Sequence, residues 1–567
     1  MRRWEILNKR KAQSAKRKTK ETEDIIKVLL NNRGLRTKKQ IKEFLNPPHP
    51  YKLKLKSLGI SKKELNKAIK RIKKAIENKE SIIVYSDFDA DGICGAAILW
   101  ETLNSLGAKA MPYIPDRIKE GYGLSKEGID QVLKEYQAGL IITVDLGITG
   151  RKEVGYAKKK GTEVIISDHH LKPKKLPSAL AIIHTTLLSG SAVAWVLAKE
   201  LIKEKELSSK DSNDLLDHLA LASIGTIADL ILLIGPSRSI VKYGLQELNQ
   251  TKRIGLKALF KTAGLEKGKI GTYEVSFMIA PRLNAMGRLV HAIDSLRLLC
   301  TKNPDRASSL AQKLGQTNRE RQKLLEETVT HARGNLTTEQ RNNEITKLIF
   351  LSHESYHEGV IGLVASKLVE KFSRPAIVVA QGKEYSKASA RSINGFDIVR
   401  AIRSCSNLLV DCGGHPMAAG FTVETKHLGK VKSKLEQLAA KEISQELLSK
   451  TLKIDCQIEL ADINFKLYEK ISQLEPFGIG NPQPIFVTRG VIIQDARVVG
   501  SDGKHLSLNF PLPTSHFPLR GIAFNLGHLY SKLSPSKPID IVYTISVDEW
   551  NGQRRLQLKI KDVKFSA

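Results

Sequence analysis

Long apolar runs are absent from this sequence. None of its 567 residues belongs to a stretch of 18 or more apolar residues, so we expect no membrane-spanning helix. The basic start, MRRWEILNKRKAQSAKRKTKETED, leads into no apolar segment, so we expect no secretory signal there. We also find no internal repeat and no low-complexity tract.

Cysteine is scarce. The five cysteines show neither CxxC spacing nor an even count, and they are Cys94, Cys300, Cys405, Cys412 and Cys456. A disulfide framework normally shows an even number at regular spacing. We therefore interpret them as reduced thiols of a cytoplasmic protein.

Acidic residues are outnumbered, with 59 Asp plus Glu against 91 Lys plus Arg and a formal net charge of +32. This excess favours a polyanionic partner. Nucleic acid fits, because Lys and Arg displace counterions from phosphates. The alternative is a lysine-rich chain whose helix faces are simply solvated. The basic N-terminal segment is open to both interpretations, as a solvated tail or as a binding arm.

The length and the 41% hydrophobic content predict several hydrophobic cores in three or four domains. We expect an α/β protein in which a long helix joins a parallel-sheet domain to a smaller α/β domain, followed by an all-β domain of the OB type. The expected ranges are 1–78 for a basic helical segment, 79–302 for the parallel-sheet domain, 303–342 for the connecting helix, 343–450 for the second α/β domain and 451–567 for the OB-type domain.

Short apolar runs predict the strands. SIIVY, LIITV, EVIIS and LAIIH resemble strands buried on both faces, and helix-like stretches separate them. Near the C-terminus, Asn551-Gly552 lies between two further apolar runs and predicts a hairpin.

Three aspartates, Asp87, Asp89 and Asp91, follow the first of these strands in SDFDADG. Alternate residues leaving a strand can aim at one point, and Gly92 permits a tight turn. Aspartate at a strand-to-helix turn is also a common helix N-cap, so this cluster alone leaves both readings open.

More acidic residues follow other strands. Asp145 comes directly after LIITV, and Asp168, His169 and His170 come directly after EVIIS. All four residues should therefore lie along one edge of a parallel sheet. Asp229 is added from the separate segment ASIGTIADL. Crowded carboxylates require compensating positive charge. Carboxylates with an imidazole suit Mn²⁺ and tolerate Mg²⁺.

These motifs resemble those of the DHH phosphoesterase superfamily and, within it, the RecJ family of single-strand-specific exonucleases. SDFDADG, VDLG, SDHH and GTIAD stand in the family's order. Further blocks extend the resemblance across nearly the whole chain: NNRGLRTKKQIKEFLNP, PDRIKEGYGLS, SGSAVAW, PRLNAMGR, HEGVIGLVASKL, SARS, GGHPMAAG, EPFGIGNPQPIF and WNGQRRLQLKIKD. His184 in IIHTT and Tyr356 depart from the family pattern, but neither belongs to the metal set.

The resemblance implies two divalent ions, Mn²⁺ or Mg²⁺, and phosphodiester hydrolysis by a metal-bound hydroxide. The implied ligands are Asp87, Asp89, Asp91, Asp145, His169 and Asp229. Asp145 would bridge the ions, and Asp87 would be a ligand or a close neighbour. Asp168 and His170 would complete the catalytic set by orienting the site or touching the phosphate. We interpret His184 as a structural or rim histidine.

The resemblance also implies a set of substrate-binding residues: Arg117, Asn284, Arg288, Ser389, Arg391, Gly413, Gly414 and His415. Four of them are expected to grip a terminal 5′-phosphate, namely Arg288, Ser389, Arg391 and His415. Taken singly, each arginine would more often form a surface salt bridge. Trp550 could stack on a base or pack within its hairpin.

The implied activity is 5′→3′ degradation of single-stranded DNA to 5′-mononucleotides in repair and recombination. The expected partners are single-stranded DNA, a single-strand-binding protein and a helicase, with the chain acting as a monomer. One rival is a DHH phosphodiesterase for short oligoribonucleotides or cyclic dinucleotides. Such enzymes need only the two α/β domains, so the N-terminal segment and the OB-type domain argue against this rival. The other is a non-catalytic replication scaffold, which should show eroded metal ligands, whereas the set here is complete.

Overall fold

The computed structural model describes residues 3–7, 22–203, 209–266, 268–336, 346–512, 515–535, 537–550 and 552–565. It contains two compact units. The central unit comprises His49–Ile231 and Pro236–Ser449, and the C-terminal unit comprises Met1–Pro48, Leu232–Gly235 and Lys450–Ala567. Among the described residues, no helix has the length and apolar character needed to cross a membrane.

The central unit is built on a five-stranded, fully parallel sheet. Its strands, in spatial order, are Lys109–Tyr113, Ser81–Ser86, Leu140–Val144, Glu163–Asp168 and Ala181–His184. The second and third of these strands are buried along their whole length, which explains their unbroken apolar sequences. The predicted parallel sheet is confirmed. The edge strand was not predicted, because KAMPY alternates exposed and buried residues around a proline.

Helices cover this sheet and extend the domain. Ser61 caps the helix Lys62–Glu77, as predicted, because its side chain accepts a hydrogen bond from the Glu64 N–H. The helices before the connecting helix are Leu55–Leu58, Lys62–Glu77, Ala90–Ser105, Lys126–Tyr136, Arg151–Lys159, Gly190–Lys203, Ser209–Ala228, Gly235–Gln250, Ile254–Ala263, Thr272–Glu274, Ala280–Leu289 and Ile293–Cys300, with a π-helical turn at Val275–Ile279.

One helix, Pro304–Gly334, leads from the first sheet domain to the second. The second domain has a mixed sheet, in spatial order Leu409–His415, Ala418–Glu424, Tyr385–Arg391, Ala376–Ala380 and Ile349–His353. Only its last two strands pair in parallel. Its helices are Ile361–Phe372, Ile398–Arg403 and Leu428–Glu442.

The C-terminal unit contains a seven-stranded sheet, in the order Cys456–Gln457, Phe486–Val491, Ile539–Trp550, Gln553–Phe565, Ser515–Ala523, His505–Leu512 and Asp495–Val499. The pairing of Trp550 with Gln553 confirms the two-residue hairpin at 551–552, although Asn551 itself lies outside the described residues. The apolar face of the sheet packs on three further helices, Thr22–Asn32, Lys38–Leu45 and Phe465–Ser472.

The N-terminal segment differs from its prediction as one helical piece spanning 1–78. Arg3–Ile6 is a strand that pairs in parallel with Thr451–Ile454. Residues up to Pro48 cluster with the C-terminal unit, whereas the helix Lys62–Glu77 packs in the central unit. Sequence periodicity could not reveal this division, because the partner strand lies far along the chain.

Candidate active site

The first acidic cluster occupies the turn between the strand Ser81–Ser86 and the helix Ala90–Ser105. Asp89 is the N-cap, and its Oδ1 accepts hydrogen bonds from the N–H groups of Asp91 and Gly92 at 2.9 and 3.1 Å. A Cβ on Gly92 would lie 2.5 Å from the Asp87 carbonyl oxygen, so only glycine fits this turn. Asp89 therefore both caps the helix and belongs to the acidic cluster, so the two interpretations of this turn are compatible.

Asp145 lies at the end of the neighbouring strand in an unusual backbone conformation. Its φ is +64°, a left-handed value that residues other than glycine rarely adopt. Residues in such backbone conformations cluster at functional sites. His169 Nε2 lies 3.0 Å from Asp145 Oδ1 and 3.4 Å from Asp229 Oδ2. Three different segments thus meet at this edge of the sheet.

The acidic and imidazole side chains form overlapping sets. Within each set, potential ligand atoms lie within 4.8 Å of one another, and the sets are Asp87–Asp89–Asp145, Asp91–His169–Asp229 and Asp145–His169–His170. Asp145 and His169 each belong to two sets. Such sharing suits two ions with a common ligand.

Burial makes four of the carboxyl groups resist ionisation. Burial, followed by the charge of Asp89, raises the pKa of Asp87, and burial with the charge of Asp91 raises the pKa of Asp89. The pKa of Asp145 is raised well above its ordinary value for the same reasons. The pKa of Asp229 rises to about 8, again through burial and then the charge of Asp91. A bound cation would remove this repulsion.

Two buried atoms at the centre of the site favour such a cation. Asp145 Oδ1 and His169 Nε2 have no hydrogen-bond partner among the described residues, although they lie close to each other. Burial lowers the pKa of His169, which favours the neutral imidazole that coordinates metal. The residues present therefore fit a pair of divalent ions with oxygen and nitrogen ligands.

Two glycines that sequence reasoning missed make room for these carboxylates. A Cβ on Gly190 would lie 2.4 Å from Asp145 Oδ1, and one on Gly225 would lie 2.2 Å from Asp91 Oδ1. Asp91 is also held by the N–H groups of Gly190 and Ser191 at 2.7 and 3.1 Å, and by the Ser191 hydroxyl at 2.5 Å. The small residues in SGSA and IGTIAD were the only available signal.

Asp168 organises the loop that carries the histidines. Its carboxylate accepts hydrogen bonds from the N–H groups of Ile148, His169 and His170, and its Oδ1 lies 2.8 Å from His170 Nδ1. Burial opposes protonation of His170, but the Asp168 hydrogen bond and charge outweigh it and raise its pKa to about 9. His170 is thereby held as a cation beside the carboxylates.

Two other side chains contact His170. The Tyr122 hydroxyl, which was not singled out from the sequence, lies 3.1 Å from His170 Nε2. His184 Nε2 lies 2.6 Å from the His170 carbonyl oxygen. His184 is buried and outside the metal-ligand sets, in agreement with its structural interpretation.

Two of the predicted substrate residues, Arg117 and Asn284, contact the acidic turn. The Arg117 guanidinium lies 5.1 Å from the centre of the Phe88 ring. Burial lowers the pKa of Arg117, and the negative charges of Asp87 and Asp89 oppose this effect. Asn284 Oδ1 accepts a hydrogen bond from the Ala90 N–H at 2.7 Å, so its amide oxygen braces the helix start rather than facing a ligand.

The predicted phosphate-gripping residues come from both sheet domains. Arg391 Nη1 donates to the Ser389 hydroxyl at 3.2 Å and to the Ala390 carbonyl at 2.8 Å. Arg288 Nη1 donates to the Gly359 carbonyl at 3.3 Å. Burial lowers the pKa of Arg288, and repulsion from Arg117 and Arg391 adds to the effect. Guanidinium groups therefore accumulate here.

The edge strand Leu409–His415 of the second sheet carries the remaining predicted residues. Gly414 has a φ of +134°, and a Cβ there would lie 2.4 Å from the Ala418 carbonyl, while Gly413 beside it is exposed. The His415 ring stacks near the His170 ring, with centroids 6.4 Å apart. The two domains thus meet at the histidine loop. The side chain of Trp550 lies outside the described part of the structure.

Three family models match the chain. Residues 81–223 match the DHH family, N-terminal domain, residues 345–441 match the DHHA1 domain, and residues 454–562 match the RecJ OB domain. The matches follow the predicted order of domains.

Curated relatives match nearly the whole chain. The single-stranded-DNA-specific exonuclease RecJ of Bacillus subtilis is 35% identical over 558 residues, covering 96% of this chain and 68% of that protein. The protein of the same name from Thermus thermophilus is 33% identical, covering 94% and 74%. That of Haemophilus influenzae is 31% identical and covers 92% of both chains.

Solved structures agree. The crystal structure of RecJ in complex with Mn²⁺ from Thermus thermophilus superposes with a TM-score of 0.81 at 30% identity, over 99% of this chain and 79% of that one. The corresponding Mg²⁺ complex gives a TM-score of 0.76 at 28% identity over 99% and 78%. A manganese-bound exonuclease RecJ gives a TM-score of 0.59 at 35% identity, over 68% of this chain and 98% of that one.

Proposed function

The chain belongs to the RecJ family of single-stranded-DNA-specific exonucleases, and on that premise we propose that it removes 5′-mononucleotides from the 5′ end of single-stranded DNA. The observation that carries the proposal is the buried, partnerless pair Asp145 Oδ1 and His169 Nε2, surrounded by carboxylates at the sheet edge. Such a centre requires cations, and the family binds Mn²⁺ or Mg²⁺.

The ligands we assign are Asp87, Asp89, Asp91, Asp145, His169 and Asp229. When bound, the two ions would activate a water and neutralise charge on the phosphate oxygens. The protein's own part is to hold the carboxylates in place, chiefly through the N–H groups that bind Asp89 and Asp91. His170, kept cationic by Asp168, would donate a hydrogen bond toward a phosphate oxygen.

Polarity is assigned to the arginines facing the metal residues. A terminal 5′-phosphate carries more negative charge than an internal diester, so it gains more from clustered guanidinium groups. Arg288, Ser389, Arg391 and His415 would bind that terminus, with Arg117 beside the carboxylates. A pocket of this kind recognises one end of a strand, which a metal pair alone cannot do.

The OB domain would hold the strand away from the cut. OB domains bind single strands through a basic, aromatic-bearing sheet face. Work on DNA ends in repair and recombination would bring the enzyme beside a single-strand-binding protein and a helicase. We place this work in the cytoplasm, in accord with the five free cysteines.

A nuclease assay tests the proposal. The purified chain is given a 5′-labelled DNA strand with Mn²⁺ or Mg²⁺, and release of labelled mononucleotide is measured beside a duplex and a dinucleotide. Asp145→Ala should slow the reaction by several powers of ten, equivalent to several kcal/mol of transition-state stabilisation. Faster turnover of the dinucleotide would favour the small-substrate phosphodiesterase. No hydrolysis of any substrate would favour the scaffold.

A further inference from the structure

The connecting helix Pro304–Gly334 has a buried stripe that is polar at its middle. Its N-terminal half buries apolar side chains such as Leu310 and Leu314. The stripe then continues through Thr317, Asn318 and Arg321. A helix stripe that faces a core is normally apolar, so these three residues require another explanation.

Arg321 is buried without a compensating charge. Only 8% of the residue is exposed. Its Nε and Nη2 both donate to Asn318 Oδ1, at 3.1 and 3.0 Å. The amide is neutral, and Arg321 forms no ion pair with any described carboxylate. A guanidinium does not deprotonate, so this buried charge is unfavourable until an anion arrives.

The helix lies against the elements that carry the predicted phosphate residues. It packs on the helix Ala280–Leu289, which holds Arg288, and on the helix Ile361–Phe372. In the latter, Gly362 leaves room for Arg391, since a Cβ there would lie 3.1 Å from Arg391 Nη2. The charge of Arg321 also helps to lower the pKa of Arg288. The helix that carries Arg321 therefore packs directly on the helix of Arg288, and through the helix Ile361–Phe372 on the strand of Arg391.

We propose that Arg321, oriented by Asn318, is the connecting helix's contribution to the terminal-phosphate site and sets the preference for phosphorylated 5′ ends. The inference rests on the proposed function. Arg321 would act through its positive charge, which adds to the attraction that Arg288 and Arg391 exert on the phosphate. The attraction scales with the ligand's charge, so it favours a terminal phosphate over a 5′-hydroxyl end.

The test compares two single strands of the same sequence, one with a 5′-phosphate and one with a 5′-hydroxyl. kcat and KM are measured for the wild type, Arg321→Gln and Arg321→Lys with Mn²⁺. Arg321→Gln should reduce the ratio of kcat/KM values, phosphate over hydroxyl, by about tenfold, because one positive charge near the phosphate is lost. The loss should fall mainly on KM. Arg321→Lys should restore part of the ratio, because the charge remains.

The control is Arg306→Gln, which removes an exposed arginine from the same helix and should leave the ratio unchanged. Dissociation constants in EDTA, where no hydrolysis occurs, separate this inference from the proposed function. If the chain binds the phosphorylated strand more tightly but hydrolyses neither strand, the proposed nuclease function is wrong. The effect of Arg321→Gln on that binding preference then still supports or overturns the inference about Arg321. An unchanged ratio, or equal losses on both strands, would overturn the inference. If Arg321→Gln unfolds, the ratio in Arg321→Lys and Asn318→Ala decides.

Discussion

Asp145 carries three unfavourable features at once: a left-handed backbone, near-complete burial and neighbouring carboxylates. Each is destabilising by itself, and residues under such conditions persist where the surrounding structure holds them for a purpose. The neutral form that its raised pKa favours has little use as a metal ligand. Cation binding at this position should therefore stabilise the folded protein as well as activate it.

Arg391 provides a direct test of end recognition. Arg391→Ala should weaken transition-state binding by about 1.5–3 kcal/mol, the scale of a hydrogen bond to a charged group. The loss should be larger on 5′-phosphorylated strands, because they present the greater charge. Initial rates on matched phosphate and hydroxyl strands measure it, and an equal drop on both would mean that Arg391 holds the backbone in general.

Gly225 tests whether the space around Asp91 matters. Gly225→Ala would place a methyl group 2.2 Å from both Asp91 Oδ1 and the Ser191 hydroxyl oxygen. We expect about 1–3 kcal/mol of destabilisation from overpacking and a fall in Mn²⁺-dependent rate of roughly 100-fold as Asp91 moves. Gly155→Ala is the matched control, since a Cβ there meets nothing within 4 Å. Normal nuclease activity in Gly225→Ala would show that the position of Asp91 is not critical.

The predictable part of the site follows from local order along the chain. Asp87, Asp145 and Asp168 could be placed together because each lies at the carboxyl end of a buried parallel strand, and such strand ends share an edge. Gly190 and Gly225 could not be found in this way, since their role depends on a distance to a side chain in another element. Arg321 was missed for a different reason, because a charged residue in a long, charge-rich helix is expected to be solvated.

Among the elements, the sheet of the C-terminal unit has one face for its core and one that is partly uncovered. Register places Arg520 opposite Asn509 and Ile522 opposite Ser507, on the side away from the core. Phe524 follows the same strand and is 54% exposed. Its ring lies 5.3 Å from that of His505. Bases could stack at this end while phosphates meet the arginine.

Phe524→Ala combined with Arg520→Gln should therefore weaken binding of long single strands. A lost aromatic stack is worth about 1–3 kcal/mol per base, and the lost cation should reduce the dependence of affinity on salt. Fluorescence anisotropy with a long labelled strand at two salt concentrations measures both effects. Phe465→Ala, which removes an exposed phenylalanine from a helix of the same unit, is the control. If the control weakens binding equally, this face is not the contact surface.

For the whole molecule, the unit boundaries determine how the C-terminal unit should be removed. Cutting at 450 alone would leave the helix Thr22–Asn32 without its packing partners, because its Ile25 and Leu29 belong to the core of the C-terminal unit. A chain of residues 49–449 instead corresponds to the central unit, apart from the short segment Leu232–Gly235.

We expect that chain to hydrolyse short strands within about tenfold of the full-length rate, because every assigned ligand lies inside it. Its affinity for long strands should fall much further. Dissociation constants and single-turnover rates on strands of increasing length give the comparison. Equal affinity of both chains for a long strand would mean that the C-terminal unit adds nothing to strand binding.

The N-terminal strand has a consequence for synthesis on the ribosome. The Trp4 indole donates to Asp562, a residue 558 positions later. At about 5–20 residues per second, the first residues wait roughly 30–110 s for their partners to emerge. During that wait the apolar face of the helix Thr22–Asn32 has no core to enter, and a nascent chain is open to chaperones and proteases. Protease digestion of ribosome-stalled chains should find this helix cleavable until the last strand emerges, and early protection would show that it folds without its partner.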